Sequence, residues 1–210
     1  MKNNQFGRSM IEMLGVLAII GVLSVGGIAG YSKAMTKFKI NKAIDEYSFL
    51  IFGMIDYIEF AQKYKSDQLY VGATKIAEAA NLIPQTWARL SDYGINDAYG
   101  NFIQIYINTK NHNLVIDFYL QGMDKAETSQ YTKTFSGKLC IEIFDNIVIP
   151  LNSTIKKAAL FRSKNESKTY YGQSTCYTGI NCIKDITLKD IHDTCNYCTE
   201  EDRCAITLFL

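Results

Sequence analysis

Six cysteines in the second half of the chain are the residues whose types and spacing first indicate chemistry. They are Cys140, Cys176, Cys182, Cys195, Cys198 and Cys204. An even number of cysteines confined to one region indicates disulfides, which persist in oxidising compartments. The spacing Cys176-x5-Cys182 suits closure of a local loop. Spacing alone leaves the pairing of the other four cysteines open.

A zinc site is the alternative chemistry for part of this region. The run His192-x2-Cys195-x2-Cys198-x5-Cys204 supplies one nitrogen and three sulfurs, which are ligand types that zinc accepts. Thiolate ligands require reduced cysteines, and an oxidising compartment does not favour these. We therefore expect disulfides, with no metal and no other cofactor.

Catalytic chemistry is not indicated elsewhere in the chain. The two histidines are His112, in a predicted turn, and His192, beside the cysteines, and neither has a sequence context typical of nucleophilic catalysis. No glycine-rich phosphate loop is apparent after the first 32 residues. We expect a protein without catalytic residues that is not an enzyme.

One basic stretch is a candidate contact for an anionic surface. Its cations are Lys156, Lys157, Arg162, Lys164 and Lys168, and they lie close in sequence to Phe161, Tyr170 and Tyr171. Such a mixture can bind phosphates and stack on bases. The plainer interpretation is an exposed loop that happens to be basic. The whole chain has 22 Lys plus Arg against 21 Asp plus Glu, so we expect no specific nucleic-acid partner.

A lone acid, Glu12, lies near the start of an apolar run that extends to Ser32. The twenty residues from Met13 to Ser32 are uncharged, and as a helix they span about 30 Å, the thickness of a bilayer's hydrocarbon core. A charged side chain at the centre of a bilayer costs roughly 2.5 to 3.5 kcal/mol, and such residues usually pair with another charge. Glu12 therefore requires a positive partner.

The order of residues around Glu12 resembles the class III signal of type IV prepilins. A short polar leader, Met1 to Phe6, precedes Gly7, and Glu12 is the fifth residue after that glycine. Gly21 in Ile-Ile-Gly-Val-Leu, followed by Ser24-Val25-Gly26, is similar to the type IVb branch. An ordinary membrane anchor with an incidental acid is the simpler alternative, but it explains neither the spacing nor the polar leader.

The resemblance implies a processing site and an assembly contact. A prepilin peptidase would cleave between Gly7 and Arg8, and the Glu12 carboxylate would meet the new amine of a neighbouring subunit's Arg8 in a filament. The family usually carries an N-methylated Phe or Met at the first mature position, whereas this chain has Arg8 there.

A long helix is predicted to carry this segment into the rest of the chain. Its apolar stripe steps by four and three residues through Ile40, Ile44, Tyr47, Ile51, Met54, Ile58 and Ala61. We expect one helix from about Ser9 to about Tyr64, apolar in its first half and amphipathic in its second. The alternative is two helices with a break near Gly30.

The remaining residues predict a smaller set of elements. Residues 66–101 lack strand alternation and carry a short helical pattern that ends at Pro84, so we expect a helix and loops there. Residues 102–108 and 114–120 predict a hairpin. Residues 137–148 fit a helix or a strand, and the resemblance favours a helix. Thr187 and Asp190 predict a capping box, and residues 204–210 a strand.

The resemblance implies an α+β pilin fold with four regions. They are a leader at residues 1–7, a membrane-spanning or filament-core helix at 8–32, an amphipathic helical half at 33–65 and a globular head at 66–210. The amphipathic half would pack on an antiparallel sheet, and residues 136–210 would form a disulfide-rich region. Type IVb pilins carry a long C-terminal disulfide, which maps here from Cys140 to Cys195, Cys198 or Cys204.

The implied function is that of a structural subunit of a type IV pilus. After processing, an inner-membrane platform and an ATPase would polymerise the single-pass protein into an extracellular homo-oligomeric filament for adhesion, aggregation or motility. A pseudopilin of a type II secretion system is an alternative within the family. A membrane-anchored periplasmic binding module is the alternative from another class.

Overall fold

The computed structural model describes residues 10–121, 134–163, 166–198 and 203–210, with side chains from Glu12 onward. The chain divides into two compact units at the junction between Asn41 and Lys42 in the sequence. The first unit contains most of the long N-terminal helix, and the second contains the sheet and all six cysteines.

Helix α1 runs without interruption from Met10 to Ile55. It stays α-helical through the glycine-rich residues near Gly30, so the alternative of a break there is wrong. The predicted end at Tyr64 is also wrong, because the Tyr57 N–H bonds to the Met54 carbonyl three residues back instead of four. A separate helix α2, Ile58–Lys63, follows this turn.

The second unit is built on an antiparallel sheet, which confirms the α+β class. Its strands are β1 (Tyr70–Gly72), β2 (Ala88–Arg89), β3 (Gly94–Asn96), β4 (Phe102–Asn108), β5 (Asn113–Tyr119), β6 (Lys157–Arg162), β7 (Lys168–Tyr171) and β8 (Cys204–Phe209). Their order across the sheet is β2-β3-β4-β5-β8-β6-β7, and β1 pairs with β4. The sheet's centre therefore includes β8, the strand that comes last along the chain.

The hairpin strands and the terminal strand agree with the sequence, whereas the short strands before the hairpin do not. The β4–β5 hairpin and the terminal strand β8 are confirmed. Residues 66–101 contain the predicted short helix, α3 (Thr74–Ala79), and also β1, β2 and β3. These strands have only two or three residues each, which is too short to show alternation. The predicted helix is therefore confirmed, and the expectation that only loops accompany it was wrong.

The C-terminal part of α1 packs on the inner face of this sheet. Tyr47, Leu50, Ile51 and Met54 are fully buried, and the Tyr47 ring centre lies 4.7 Å from that of Phe118 on β5. Apolar burial of this kind is the main favourable contribution to folding. The predicted packing of the amphipathic half on the sheet is confirmed.

A buried polar network joins α1 to the loop before β4. The Tyr47 hydroxyl donates to Asp97 Oδ2 over 2.5 Å, and Asn101 Nδ2 donates to the same carboxylate oxygen over 2.6 Å. Asp97 Oδ1 accepts the backbone N–H groups of Tyr99 and Asn101 at 2.8 and 2.7 Å. Each carboxylate oxygen of Asp97 is thus satisfied, as buried polar groups require.

Two helices complete the second unit. Helix α4, Gly137–Ile143, continues as a π-helical turn over Phe144–Val148, so the ambiguous segment is helical. Helix α5, Leu188–Cys195, begins with the predicted capping box between Thr187 and Asp190. The sheet contacts both helices, since the Tyr170 ring packs against Phe144 and its hydroxyl lies 2.7 Å from Thr194 Oγ1.

Candidate membrane and assembly site

The first unit presents an apolar helix surface to its surroundings. Every side chain from Glu12 to Ala34 is exposed, and the large apolar ones from Met13 to Tyr31 are 53% to 74% exposed. Soluble monomers rarely expose a continuous apolar patch of this extent. This surface therefore needs lipid or other helices around it.

The helix is long and apolar enough to span a membrane. Among the described residues it is the one helix that passes this test, with a mean hydropathy of 2.2 in an 18-residue window of which no part is buried. A core helix of a soluble protein would be mostly buried, because its apolar side chains contact the rest of the fold. Its length and exposure together are compatible with membrane anchoring.

The polar side chains near this segment bond to the helix itself. Ser24 Oγ donates to the Ile20 carbonyl over 2.7 Å, and Thr36 Oγ1 donates to the Ser32 carbonyl over 2.9 Å. Polar groups in hydrocarbon must be satisfied within the protein. These two hydroxyls already meet that condition.

Glu12 has no ion-pair partner among the described residues. The next basic residue described is Lys33, which lies about 30 Å further along an α-helix. Gly7 and Arg8, the predicted processing site, lie outside the described residues. The positive group that Glu12 requires is therefore not supplied by the described part of its own chain.

Five glycines of α1 have no contact with the described residues that explains them. They are Gly15, Gly21, Gly26, Gly27 and Gly30, and a Cβ atom at any of them would meet nothing within 4 Å. Glycine inside a helix costs about 1 kcal/mol relative to alanine in water. Small residues on apolar helices allow neighbouring helices to approach closely, which is the gain that offsets this cost in an assembly.

All six cysteines form disulfides in the structure. Cys140 pairs with Cys195, one of the three partners that the resemblance leaves open, and Cys176 pairs with Cys182. The third bridge joins Cys198 to Cys204. The three cysteines of the alternative zinc site are thus bridged sulfurs, and their neighbour His192 is exposed beside Asn196.

Strand β6 contains Lys157 and Arg162, and Lys156 directly precedes it, so the interpretation as an exposed loop is wrong for these residues. Lys156 Nζ donates to Asn113 Oδ1 and to the Leu210 carbonyl over 2.8 and 2.9 Å, and desolvation lowers its pKa. Lys157 Nζ lies 4.0 Å from the centre of the Phe209 ring on β8.

The next described cation of this stretch is buried. Arg162 is only 7% exposed, and its guanidinium lies 4.0 Å from the centre of the Tyr197 ring. Lys164 lies outside the described residues. Strand alternation places Lys157 and Arg162 on opposite faces of the sheet, so these two do not form one cationic surface.

A second lone acid in an apolar run was not identified from the sequence. Asp117 lies in the middle of β5, between Ile116 and Phe118, and is only 5% exposed. Burial raises its pKa to about 6, and hydrogen bonds from Thr207 and Tyr106 offset part of that effect. The argument that singled out Glu12, one carboxylate among apolar residues, applies equally to Asp117.

No protein-family model matches the sequence, and comparisons with curated proteins and with solved structures yield no match.

Proposed function

We propose that the chain is a membrane-anchored subunit that polymerises into a type IV pilus-like filament. The observation that supports this most directly is the exposed apolar helix with a single carboxylate, Glu12, near its start. The long helix, antiparallel sheet and disulfides are compatible with a pilin-like fold. The proposed role is structural rather than catalytic.

The apolar helix surface has two proposed environments in turn. Lipid covers it while the subunit lies in the inner membrane, and helices of neighbouring subunits cover it in the filament. Since lipid tails are as apolar as the side chains, packing must drive the exchange. The uncontacted glycines Gly26 and Gly30, spaced four residues apart, suit such close packing.

The partner proposed for Glu12 is the amine that processing creates at Arg8 of a neighbouring subunit. A charge pair in surroundings of low dielectric is favourable only if both members are present. The subunit alone lacks a partner for Glu12 within its described residues, so assembly relieves a cost that the single chain carries. The Arg8 guanidinium is a second cation that competes for the same carboxylate.

Intact mass of the cellular protein tests the processing step. With prepilin peptidase active, we expect the mass of residues 8–210, with or without one methyl group at Arg8. Without the peptidase, we expect the full chain. An unprocessed mass in both strains contradicts the proposal.

Variants at Glu12 test the assembly contact. We expect Glu12→Ala and Glu12→Gln to insert normally, because removal of a charge lowers the cost of insertion. Their filament yield should fall at least about tenfold, because one member of a buried pair without its partner costs about 3 to 5 kcal/mol. Glu12→Asp keeps the charge and should retain more filament than Glu12→Gln. Electron microscopy and sheared-fibre yield measure this, and equal yields for all variants refute the contact.

Microscopy also separates the related possibilities. Long surface fibres favour a pilus that serves adhesion, aggregation or motility, whereas a secretion defect without fibres favours a type II secretion pseudopilus. A subunit that keeps an unprocessed N-terminus and never crosslinks to another copy would instead be a tethered binding module. An assembly platform and ATPase are partners only in the first two cases.

A further inference from the structure

The outer face of the sheet, opposite the one that α1 covers, contains a groove of about 560 Å³. This volume lies within the range of about 300 to 1,000 Å³ that small-molecule sites occupy. Strands β4, β5, β6, β7 and β8 all contribute to it. The groove uses neither the apolar helix nor Glu12, so its residues are separate from the proposed assembly contact.

The floor of the groove is one row of residues across five strands. Backbone pairing aligns Gln104 with Asp117, Asp117 with Thr207, Thr207 with Ala159 and Ala159 with Thr169. Residues paired in this way point to the same face of a sheet. Four members of the row are polar and the fifth, Ala159, is small, so the row provides both hydrogen-bonding groups and space.

Aromatic rings border this polar row on both sides. On one side of the row, Tyr106 lies two residues from Gln104 on β4, and Phe209 lies two residues from Thr207 on β8. Both pair with Val115 on β5. On the other side of the row, Tyr119 lies two residues from Asp117 on β5, and Phe161 lies two residues from Ala159 on β6. The Tyr70 ring stands at 90° to Tyr106, with ring centres 5.4 Å apart. The groove thus has apolar, flat walls above a polar floor.

Two buried polar atoms of the groove lack a partner among the described residues. Asp117 Oδ1 accepts no hydrogen bond and Arg203 Nε donates none, although both residues line the groove. An unsatisfied buried polar group costs about 1 to 3 kcal/mol, and more if it is charged. One unused acceptor and one unused donor therefore belong to residues that line the same groove.

The lining of the groove favours one class of ligand over others. A peptide strand adds to a sheet edge through free backbone groups, whereas this groove lies on a face whose central strands are paired on both sides. A metal cation needs several oxygen ligands, but here the one carboxylate shares the groove with Lys157 and Arg203. A sugar ring has an apolar C–H face, which stacks on aromatic rings, and hydroxyls that both donate and accept.

We propose that this groove binds a saccharide. A pyranose ring lies against the aromatic walls, one hydroxyl donates to Asp117 Oδ1, and a hydroxyl oxygen accepts from Arg203 Nε. Ala159 leaves the space that the ring occupies. The inference goes beyond filament assembly and gives the head a ligand of its own.

The test uses the full chain in lipid nanodiscs prepared without glycolipid or sugar-based detergent, because either would compete for the groove. The probes are an array of mono- to tetrasaccharides with hexose and N-acetylhexosamine termini and, in parallel, a peptide array. We expect binding to at least one saccharide. Binding to no saccharide overturns the proposal, as does binding to peptides alone.

Matched variants locate the binding. Ala159→Leu fills the groove and should abolish saccharide binding, whereas Ala88→Leu makes the same change at an exposed strand position outside the groove and should leave it intact. Equal binding by both variants overturns the assignment. Thermal melting and the count of disulfides establish that each variant is folded.

A second pair of variants tests the polar contact without added bulk. Asp117→Asn keeps the shape but removes the charged acceptor, so saccharide affinity should fall about tenfold to a hundredfold. Tyr106→Phe keeps the ring and should lose less than tenfold. Unchanged saccharide affinity in Asp117→Asn contradicts the proposed role of this carboxylate. A loss of affinity of the same size in both variants contradicts the proposal that Asp117 on the floor contributes a hydrogen bond while Tyr106 on the wall contributes its ring.

Discussion

Two buried aspartates of the head differ in how well their carboxylates are satisfied. Asp97 accepts four hydrogen bonds, two at each oxygen. Asp117 is equally buried, at 5% exposure, but its Oδ1 has no partner among the described residues. A fully satisfied buried network specifies a unique core, whereas an unsatisfied group costs stability. The Asp97 carboxylate therefore stabilises the fold, whereas the Asp117 carboxylate destabilises it.

Asp117 should make the head less stable as pH rises. Its pKa is raised from 3.8 to about 6, so between these values the folded state holds a proton that the unfolded state has lost. The free energy of unfolding is therefore greatest below about pH 4 and decreases as the pH rises through 6. The full penalty is about 3 kcal/mol. Asp117→Asn should gain in Tm over the wild type from pH 4 to pH 7.5.

Asp92→Asn is the matched control for this pH dependence. Lys75 holds the pKa of the exposed Asp92 carboxyl below its usual value, so its contribution is present above the unfolded pKa and lost as pH falls. This variant should show no gain in Tm with rising pH. A pH-independent Tm difference between Asp117→Asn and wild type would show that Asp117 does not titrate in this range.

Tyr47→Phe tests the satisfied network around Asp97. Loss of the hydroxyl removes a donor from Asp97 Oδ2 and an acceptor from Asn101 Nδ2. We expect the free energy of unfolding to fall by about 1 to 3 kcal/mol. Tyr177→Phe makes the same change at a residue that is 67% exposed and should be neutral. Chemical denaturation in micelles measures both, and equal effects would contradict a stabilising network.

At the scale of elements, the three disulfides differ in what they connect. Cys140–Cys195 links α4 to α5 across a sequence separation of 55 residues. The other two bridges each span a separation of six residues. In the chain-entropy view a disulfide stabilises by restricting the unfolded chain, and more so for a longer loop. The long bridge therefore holds the helical side of the head together, while the short ones fix local loops.

Paired cysteine-to-alanine variants measure this difference. Loss of Cys140–Cys195 should lower stability by about 4 kcal/mol, and loss of Cys176–Cys182 by about 2 kcal/mol. The local bridge is the matched control, because both variants remove two cysteines. Thermal melting of the oxidised proteins is the measurement, and a larger loss from the short bridge would contradict the assignment.

Elements could be predicted from sequence where one pattern persists over many residues. The stripe through Tyr47 and Met54 predicts the buried face of α1, and the branched and aromatic residues of 102–108 predict β4. Strand β6 was missed because Ala158 and Leu160 on one face and Ala159 on the other are all buried, so burial on both faces removes the alternation. The groove depends on register between strands distant in sequence, which no local pattern contains.

At the scale of the molecule, the two units have opposite relations to water. The first exposes its apolar side chains, and the buried apolar residues from Ala43 to Leu210 all belong to the second. Each unit therefore has a different requirement: the first needs lipid or other helices, and the second contains its own core.

A fragment of residues 42–210 should fold by itself. We expect it to remain in solution after centrifugation with three disulfides, while the full chain sediments with membranes. Sedimentation and mass spectrometry with thiol labelling measure this, and the full chain extracted in detergent provides the reference melting temperature. An aggregated or thiol-exposing fragment would show that the head depends on the first unit.

The central place of β8 has a consequence for the order in which the head becomes complete during synthesis. Every other strand leaves the ribosome before β8, yet β8 is the strand that joins β5 to β6. Until it arrives, the sheet exists only as two separate parts, and closing it requires contacts between distant residues, which form slowly. Thr207 on β8 also bridges Asp117 and Ala159 in the floor of the groove. The floor of the groove is therefore incomplete until β8 pairs with both β5 and β6, so the proposed ligand site forms only when the two parts of the sheet join.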